Sequence, residues 1–144
     1  MKAWTDYIWV WVWCLIVNDK NEILLLRRGK KCNNEVWYWG RAGWTVNFME
    51  KAEDALKREV KEEIWVDIEI IQSQWYADHF PENEKQHWIS LSFIAKITWW
   101  EIINLEPNKC DEIRWFSLDN LPELISPNIK DSIDSLRAWL NLWI

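Results

Sequence analysis

Glu50 to Val66 reads EKAEDALKREVKEEIWV. Ala52, Ala55, Leu56 and Val60 recur at helical spacing, which predicts a helix over Glu50–Ile64 with one face on a core. Glu59, Glu62 and Glu63 stand at i, i+3 and i+4, so that helix puts three carboxylates on one face. Like charges so spaced repel by about a few tenths of a kcal/mol per pair. A hard cation reverses the sign, because carboxylate oxygens suit Mg²⁺ or Mn²⁺. Arg58 lies four residues before Glu62 and is placed to orient a carboxylate. Glu50 lies just ahead of the helix, where it complements the dipole or joins the site. For an isolated E-x-x-E-E, a solvated acidic face is the plainer reading.

Upstream, Ile8 to Val17 reads as a strand. Asn18 to Asn21 is a polar turn, and Glu22 to Arg28 a second strand. Gly29 to Val36 is a loop, and Tyr38 to Phe48 mixes strand with tight turns. Downstream, Val66 to Ala77 and His87 to Thr98 alternate as strands around a charged loop, Asp78 to Gln86. Ile113 to Phe116 is a short strand. Ser126-Pro127 opens a last helix, with Ser as N-cap and Pro at the first position. Its apolar stripe is Ile129, Ile133, Leu136 and Leu140. The mixed order predicts an α+β fold, with helices on a mixed sheet.

The 144 residues are 49% hydrophobic and 28% charged, as expected of one globular domain over residues 1–144. No apolar run reaches the roughly 18 residues needed to cross a bilayer. Met1 to Asp6 leads straight into strand-like sequence, so no signal peptide is expected. Cys14, Cys32 and Cys110 are odd in number and far apart, which predicts free thiols and a cytoplasmic setting. A net charge of −6 argues against nucleic acid or an anionic membrane as partner. It leaves room for a small phosphate-bearing substrate beside a metal cation.

The segment Trp44 to Val66 resembles the Nudix box, G-x5-E-x7-R-E-U-x-E-E-x-G-U, where U is bulky and aliphatic. Glu50, Arg58, Glu59, Val60, Glu62, Glu63 and Val66 match in register. The resemblance extends loosely over the chain. It implies an α/β/α sandwich around a mixed sheet, and a pyrophosphohydrolase that uses Mg²⁺, with Mn²⁺ able to substitute. By the match, Glu59, Glu62 and Glu63 are metal ligands, with the Gly43 carbonyl as a further one. Arg58 orients the glutamates and Glu50 supports it. The general base is Glu62, Glu63 or a downstream glutamate, for which Glu106 is the candidate. An exposed turn residue before Pro107 is the plainer reading of Glu106.

Arg27, Arg28 and Arg41 are candidates for the outer phosphates, and Phe80, His87 and Trp88 for a base pocket. His79 and His87 lack metal-site spacing. The expected substrate is a small nucleotide, first of all a nucleoside triphosphate cut to monophosphate and pyrophosphate. ADP-ribose is the rival, on the weak sign of Pro81 fifteen residues past the box. Many relatives resemble dimers, so a homodimer is a candidate assembly. A reading from another class is a non-catalytic nucleotide-binding module.

That last reading rests on two departures. The box glycines are Trp44 and Trp65, and the whole chain has 15 Trp but only 3 Gly. Ordinary usage of about 7% would give about ten glycines. Trp44 stands where backbone is expected to approach metal and phosphate, and Trp65 where a left-handed helix end is expected. Trp9, Trp11 and Trp13 alternate along the first strand, and Trp37, Trp99 and Trp100 fall where turns favour Gly. Three indoles on one strand face are one candidate stacking platform. A common cause covers the turns too: several of these codons are UGA, which some bacteria read as glycine. The expectation is then glycine at about eight of these positions in the natural protein, 44 and 65 among them.

Overall fold

The computed structural model describes residues 1, 6–32, 35–81, 85–99 and 101–141. Among them run β1 (Trp9–Val17), β2 (Ile23–Arg28), β3 (Trp39–Gly40), β4 (Ala42–Thr45), α1 (Ala52–Ile64), β5 (Asp67–His79), β6 (Trp88–Trp99), β7 (Cys110–Phe116) and α2 (Lys130–Asn141). The turn between β1 and β2 is built on Asn18, whose Oδ1 accepts the N–H groups of Lys20 and Glu22 at 3.0 and 2.9 Å.

The strands form one sheet in the order β3-β2-β1-β6-β5, with β4 also on β1 and β7 also on β2. β1 and β6 are parallel, and the other pairings are antiparallel, so the sheet is mixed. β1 pairs with β2 only at Ile16 and Val17, and with β4 over Trp11 to Cys14. The chain from β3 to β4 therefore fills a wedge where β1 and β2 part.

Side chains alternate across the sheet. Val12, Cys14, Ile16, Leu24 and Phe93 pack against Ala55, Leu56, Val60 and Ile64 of α1. Leu15, Val17, Ile23, Leu25 and Ile94 pack against Ile129 and against Ile133 and Leu136 of α2. The result is the expected sandwich, with one helix on each face.

Several boundaries shift by a residue or two, with α1 beginning at Ala52 and β5 running on through Asp78 and His79 of the expected loop, and two further differences have a local cause. β7 begins at Cys110, three residues before Ile113, and pairs with β2 as far as Arg28 across a bulge. Asp111 and Glu112 hid that part of the strand in the sequence. The last helix opens as a 3₁₀ turn, Pro127–Ile129, and Ser126 makes no side-chain cap bond. Its hydroxyl lies 2.8 Å from Glu35 Oε2 and 2.9 Å from Asn128 Oδ1 instead. The three cysteines are free, and no described helix is long and apolar enough to cross a membrane.

Candidate active site

Arg58 is the centre of the box. Its Nε and Nη2 donate to the two carboxylate oxygens of Glu50 at 2.9 and 3.0 Å, a bidentate pair. Nη2 also reaches the Thr45 carbonyl at 3.1 Å. Nη1 donates to Glu59 Oε1 at 2.9 Å and lies 3.4 Å from Glu62 Oε2. Glu50 accepts a further bond from the Asn47 N–H at 3.0 Å. Arg58 above all, then that N–H, pulls the Glu50 pKa down to about 2.

Glu59 is buried, and burial raises its pKa in spite of Arg58. Glu63 is half-buried, and its Oε1 accepts the Gly43 N–H at 2.9 Å. Burial again dominates and holds its pKa well above the usual range, with Glu106 and Glu59 adding to the effect. Glu62 is the exposed member of the trio.

Gly43 fits here for a local reason. Its φ is +133°, and a Cβ there would lie 2.0 Å from the Val12 carbonyl oxygen. No larger residue could present its N–H to Glu63 in this place.

Glu106 reaches the same cluster from the other side. The Ile103 and Leu105 N–H groups donate to the carbonyls of Ile64 and Glu63, both at 2.9 Å. Asn104 Oδ1 fixes the Glu106 N–H at 3.0 Å, and Lys109 Nζ stands 3.6 Å from the Glu106 carboxylate. Asn104 and Lys109 carried no signal in the sequence, because their contact with the site depends on how this loop docks on α1.

Glu50, Arg58, Glu59, Glu62, Glu63, Gly43 and Glu106 are thus brought together. Among the described residues, no hydrogen bond or ion pair ties Arg27, Arg41 or Phe80 to them. Arg27 is a bidentate partner of Asp111, at 2.9 Å on both arms, and lies against the Trp37 and Trp39 rings. The Arg28 backbone pairs with Tyr38 and Trp37. Phe80 is exposed and tilts on the His87 ring. His87 meets Asp78, while His79 meets Ser90 and stacks on Trp88.

An oxygen-only set of four glutamates beside a single arginine has the donor chemistry of a hard divalent cation. The raised pKa values of Glu59 and Glu63 show that the protein alone disfavours their charge. Among the described residues, no three His, Cys, Asp or Glu side chains close around one point. The glutamates are turned onto Arg58 and the Gly43 N–H instead.

Of the two tryptophans in the box, only Trp65 is left-handed, with φ 62° at the C-cap of α1. Trp44 lies in β4 without that conformation, stacked on Trp11 with centroids 5.3 Å apart. Trp37 is left-handed at φ 71°, Trp99 is not, and Trp100 lies outside the described residues.

The NUDIX domain profile matches residues 9–138. A protein named NAD-capped RNA hydrolase NudC from Stutzerimonas stutzeri is 34% identical over 113 residues, covering 76% of this chain and 37% of that protein. Its counterpart from Pseudomonas putida is 38% identical over 78 residues, 52% of this chain and 25% of that one. The chain thus spans little more than a third of these relatives at most. A MutT NUDIX hydrolase structure from Burkholderia pseudomallei superposes with a TM-score of 0.81 at 28% identity, covering 90% of this chain and 98% of that one. An ADP-ribose pyrophosphatase from Streptococcus suis shares the fold, with a TM-score of 0.69 at 19% identity over 94% and 92% of the two chains. With the profile spanning nearly the whole sheet and both helices, the chain belongs to the NUDIX domain family.

Proposed function

We propose that this chain hydrolyses the diphosphate linkage of a nucleoside diphosphate derivative, with nucleoside triphosphates as the first candidates. The observation that carries the reading is the gathering of Glu50, Glu59 and Glu62 on Arg58, with Glu63 and Glu106 near enough to be felt electrostatically. A cluster so acidic repels a diphosphate unless a cation neutralises it. Glu59, Glu62 and Glu63, with the Gly43 carbonyl, would hold Mg²⁺ or Mn²⁺. When bound, such an ion offsets diphosphate charge and lowers the pKa of water.

The chain's own part is to position groups and take up a proton. Arg58 holds Glu59 at 2.9 Å and Glu62 more loosely, at 3.4 Å. Water attacks one phosphorus, the bond to the bridging oxygen breaks, and the proton passes to a carboxylate. Glu106 is our candidate for that base, held by Asn104 and Lys109. Glu62 and Glu63 are the other two.

The test is hydrolysis with Mg²⁺ of a panel of compounds, read as monophosphate and pyrophosphate from nucleoside triphosphates, as AMP and ribose 5-phosphate from ADP-ribose, as AMP and nicotinamide mononucleotide from NAD, and as two nucleotides from dinucleoside polyphosphates. Turnover of at least one compound is expected. Glu62→Gln should lower it at least about 100-fold, the scale of losing one electrostatic group in a catalytic site. Wild-type turnover in Glu62→Gln would remove Glu62 from the mechanism. No turnover of any compound would favour the second reading, a nucleotide-binding module. One observation supports that reading: the glutamates face Arg58 and Gly43, with no common point among them.

A further inference from the structure

The face of the sheet away from α1 holds a cation that the reaction above leaves unused. Arg41 is 8% exposed. Its Nη1 donates to Ser92 Oγ at 2.8 Å and its Nη2 to the Asn128 carbonyl at 3.4 Å. The guanidinium lies 5.8 Å from the centre of the Trp13 ring. No ion pair joins it to a carboxylate among the described residues. Burial lowers its pKa to about 10. An uncompensated buried charge is disfavoured, and a ligand acceptor beside it gains accordingly.

Its surroundings are flat and rich in donors. Rings stack along this face from β5 to β4. His79 lies on Trp88 at 3.8 Å, Trp88 on Trp11 at 3.9 Å, and Trp11 on Trp44 at 5.3 Å between centroids. The indole Nε1 atoms of Trp11 and Trp13 are buried without an acceptor. The Trp11 atom is therefore an N–H donor open to a ligand, and a planar ligand with a carbonyl oxygen on its edge would complement it. Gly43, whose N–H holds Glu63, is two residues from Arg41, about 7 Å along an extended chain. Among the described residues β4 pairs only with β1, so a nucleoside with its base at Arg41 would carry its diphosphate past the other edge of β4 to the glutamates on the opposite face.

We propose that Arg41 sets the base specificity of this chain, and that it selects bases with a carbonyl at purine C6 or pyrimidine C4, guanine and uracil, over adenine and cytosine, which carry an amino group there. The selection rests on the hydrolase reading above and deepens it. The arginine fork matches the O6 and N7 acceptors of guanine and meets a donor on adenine. The Trp13 ring now covers Arg41, so the base takes its place as that ring swings aside. A glycine at position 13 leaves the place open.

The test compares kcat/KM for GTP with ATP, and for UTP with CTP, in the full chain and in Arg41→Met, Arg41→Lys and Trp13→Gly. Quenching of tryptophan fluorescence by GMP and AMP is measured alongside. The chain should prefer the carbonyl base of each pair by about tenfold or more. Arg41→Met should erase that ratio, and Arg41→Lys, which keeps charge but loses the fork, should reduce it. Trp13→Gly should strengthen quenching by GMP relative to AMP. A structural role would lower both members of each pair equally and leave the ratio unchanged, which overturns the proposal. An unchanged ratio in Arg41→Lys overturns it equally should Arg41→Met fail to fold. Absence of turnover together with Arg41-dependent preference for GMP would overturn the hydrolase reading and keep the base selection. Turnover without any carbonyl preference would do the reverse.

Discussion

At Trp65 the chain turns left-handed to leave α1, with φ 62° and ψ 33°. Glycine reaches that conformation without a Cβ penalty, while an L side chain costs roughly 1–2 kcal/mol. Against this stands the Lys61 ammonium, 4.7 Å from the indole centre, a contact worth about 0.5–1 kcal/mol at an exposed site. The ring is 40% exposed, so removing it opens no sealed cavity. Relief outweighs loss, and Trp65→Gly should raise the melting temperature by about 1–4 °C, measured by thermal denaturation. A fall would mean that the indole is a packed structural residue and would remove position 65 from the glycine account. The mismatch was visible in the sequence because the box fixes where a helix must end. Trp44 is different. Its backbone is not left-handed, since Gly43 one residue earlier takes the unusual φ, and no periodicity distinguishes those two positions. Nor did the sequence show which way Arg41 points. It is flanked by short strands in a wedge of the sheet, and its face depends on how β4 meets β1.

At the start of α1, the Glu50–Arg58 pair braces the loop ahead of the helix against its second turn. Arg58 holds the Glu50 carboxyl well below its unfolded value. The stability this contributes is present above about pH 4.5 and is lost as the pH falls toward about 2. Glu50→Gln abolishes that titration. Melting curves between pH 6 and 2 should therefore converge: the parent lies above Glu50→Gln at pH 6, and the gap closes in acid. A gap constant with pH would show that the side chain acts by packing alone. This element was legible because the i, i+3, i+4 rule fixes one helix face from spacing alone. Glu106 was legible only as a resemblance. Its place depends on the Ile103 and Leu105 N–H bonds to the end of α1, which no local pattern encodes. Ser126 failed similarly. Its position reads as an N-cap, but Glu35, from a distant loop, competes for its hydroxyl.

For the molecule as a whole, the order of elements and the stripes of both helices foretold helices on a mixed sheet, while a helix layer on each face was implied by the resemblance alone. The pairing of β1 with both β2 and β4 was not foretold, since strand register beyond a tight turn leaves no local mark. This sandwich sets Glu59 and Glu63 where folding costs them solvation, and the pKa of each rises as a result. The folded chain therefore carries a desolvation cost that unfolding, by returning the two carboxylates to water, would release. A divalent cation should bind the folded cluster and stabilise it by mass action. At a hundredfold excess of Mg²⁺ over its dissociation constant the gain is about 2.7 kcal/mol. For a domain of this size that is roughly 5–11 °C in melting temperature. The double variant Glu59→Gln, Glu63→Gln separates this from nonspecific ion effects. Without Mg²⁺ it should melt at or above the parent, because two disfavoured charges are gone and amides fit the same space. With Mg²⁺ it should gain almost nothing. An equal shift in both proteins would place the ion elsewhere on the surface. A metal-free double variant melting well below the parent would show that Glu59 and Glu63 stabilise the fold through Arg58 and Gly43, and the desolvation cost argued here would be wrong.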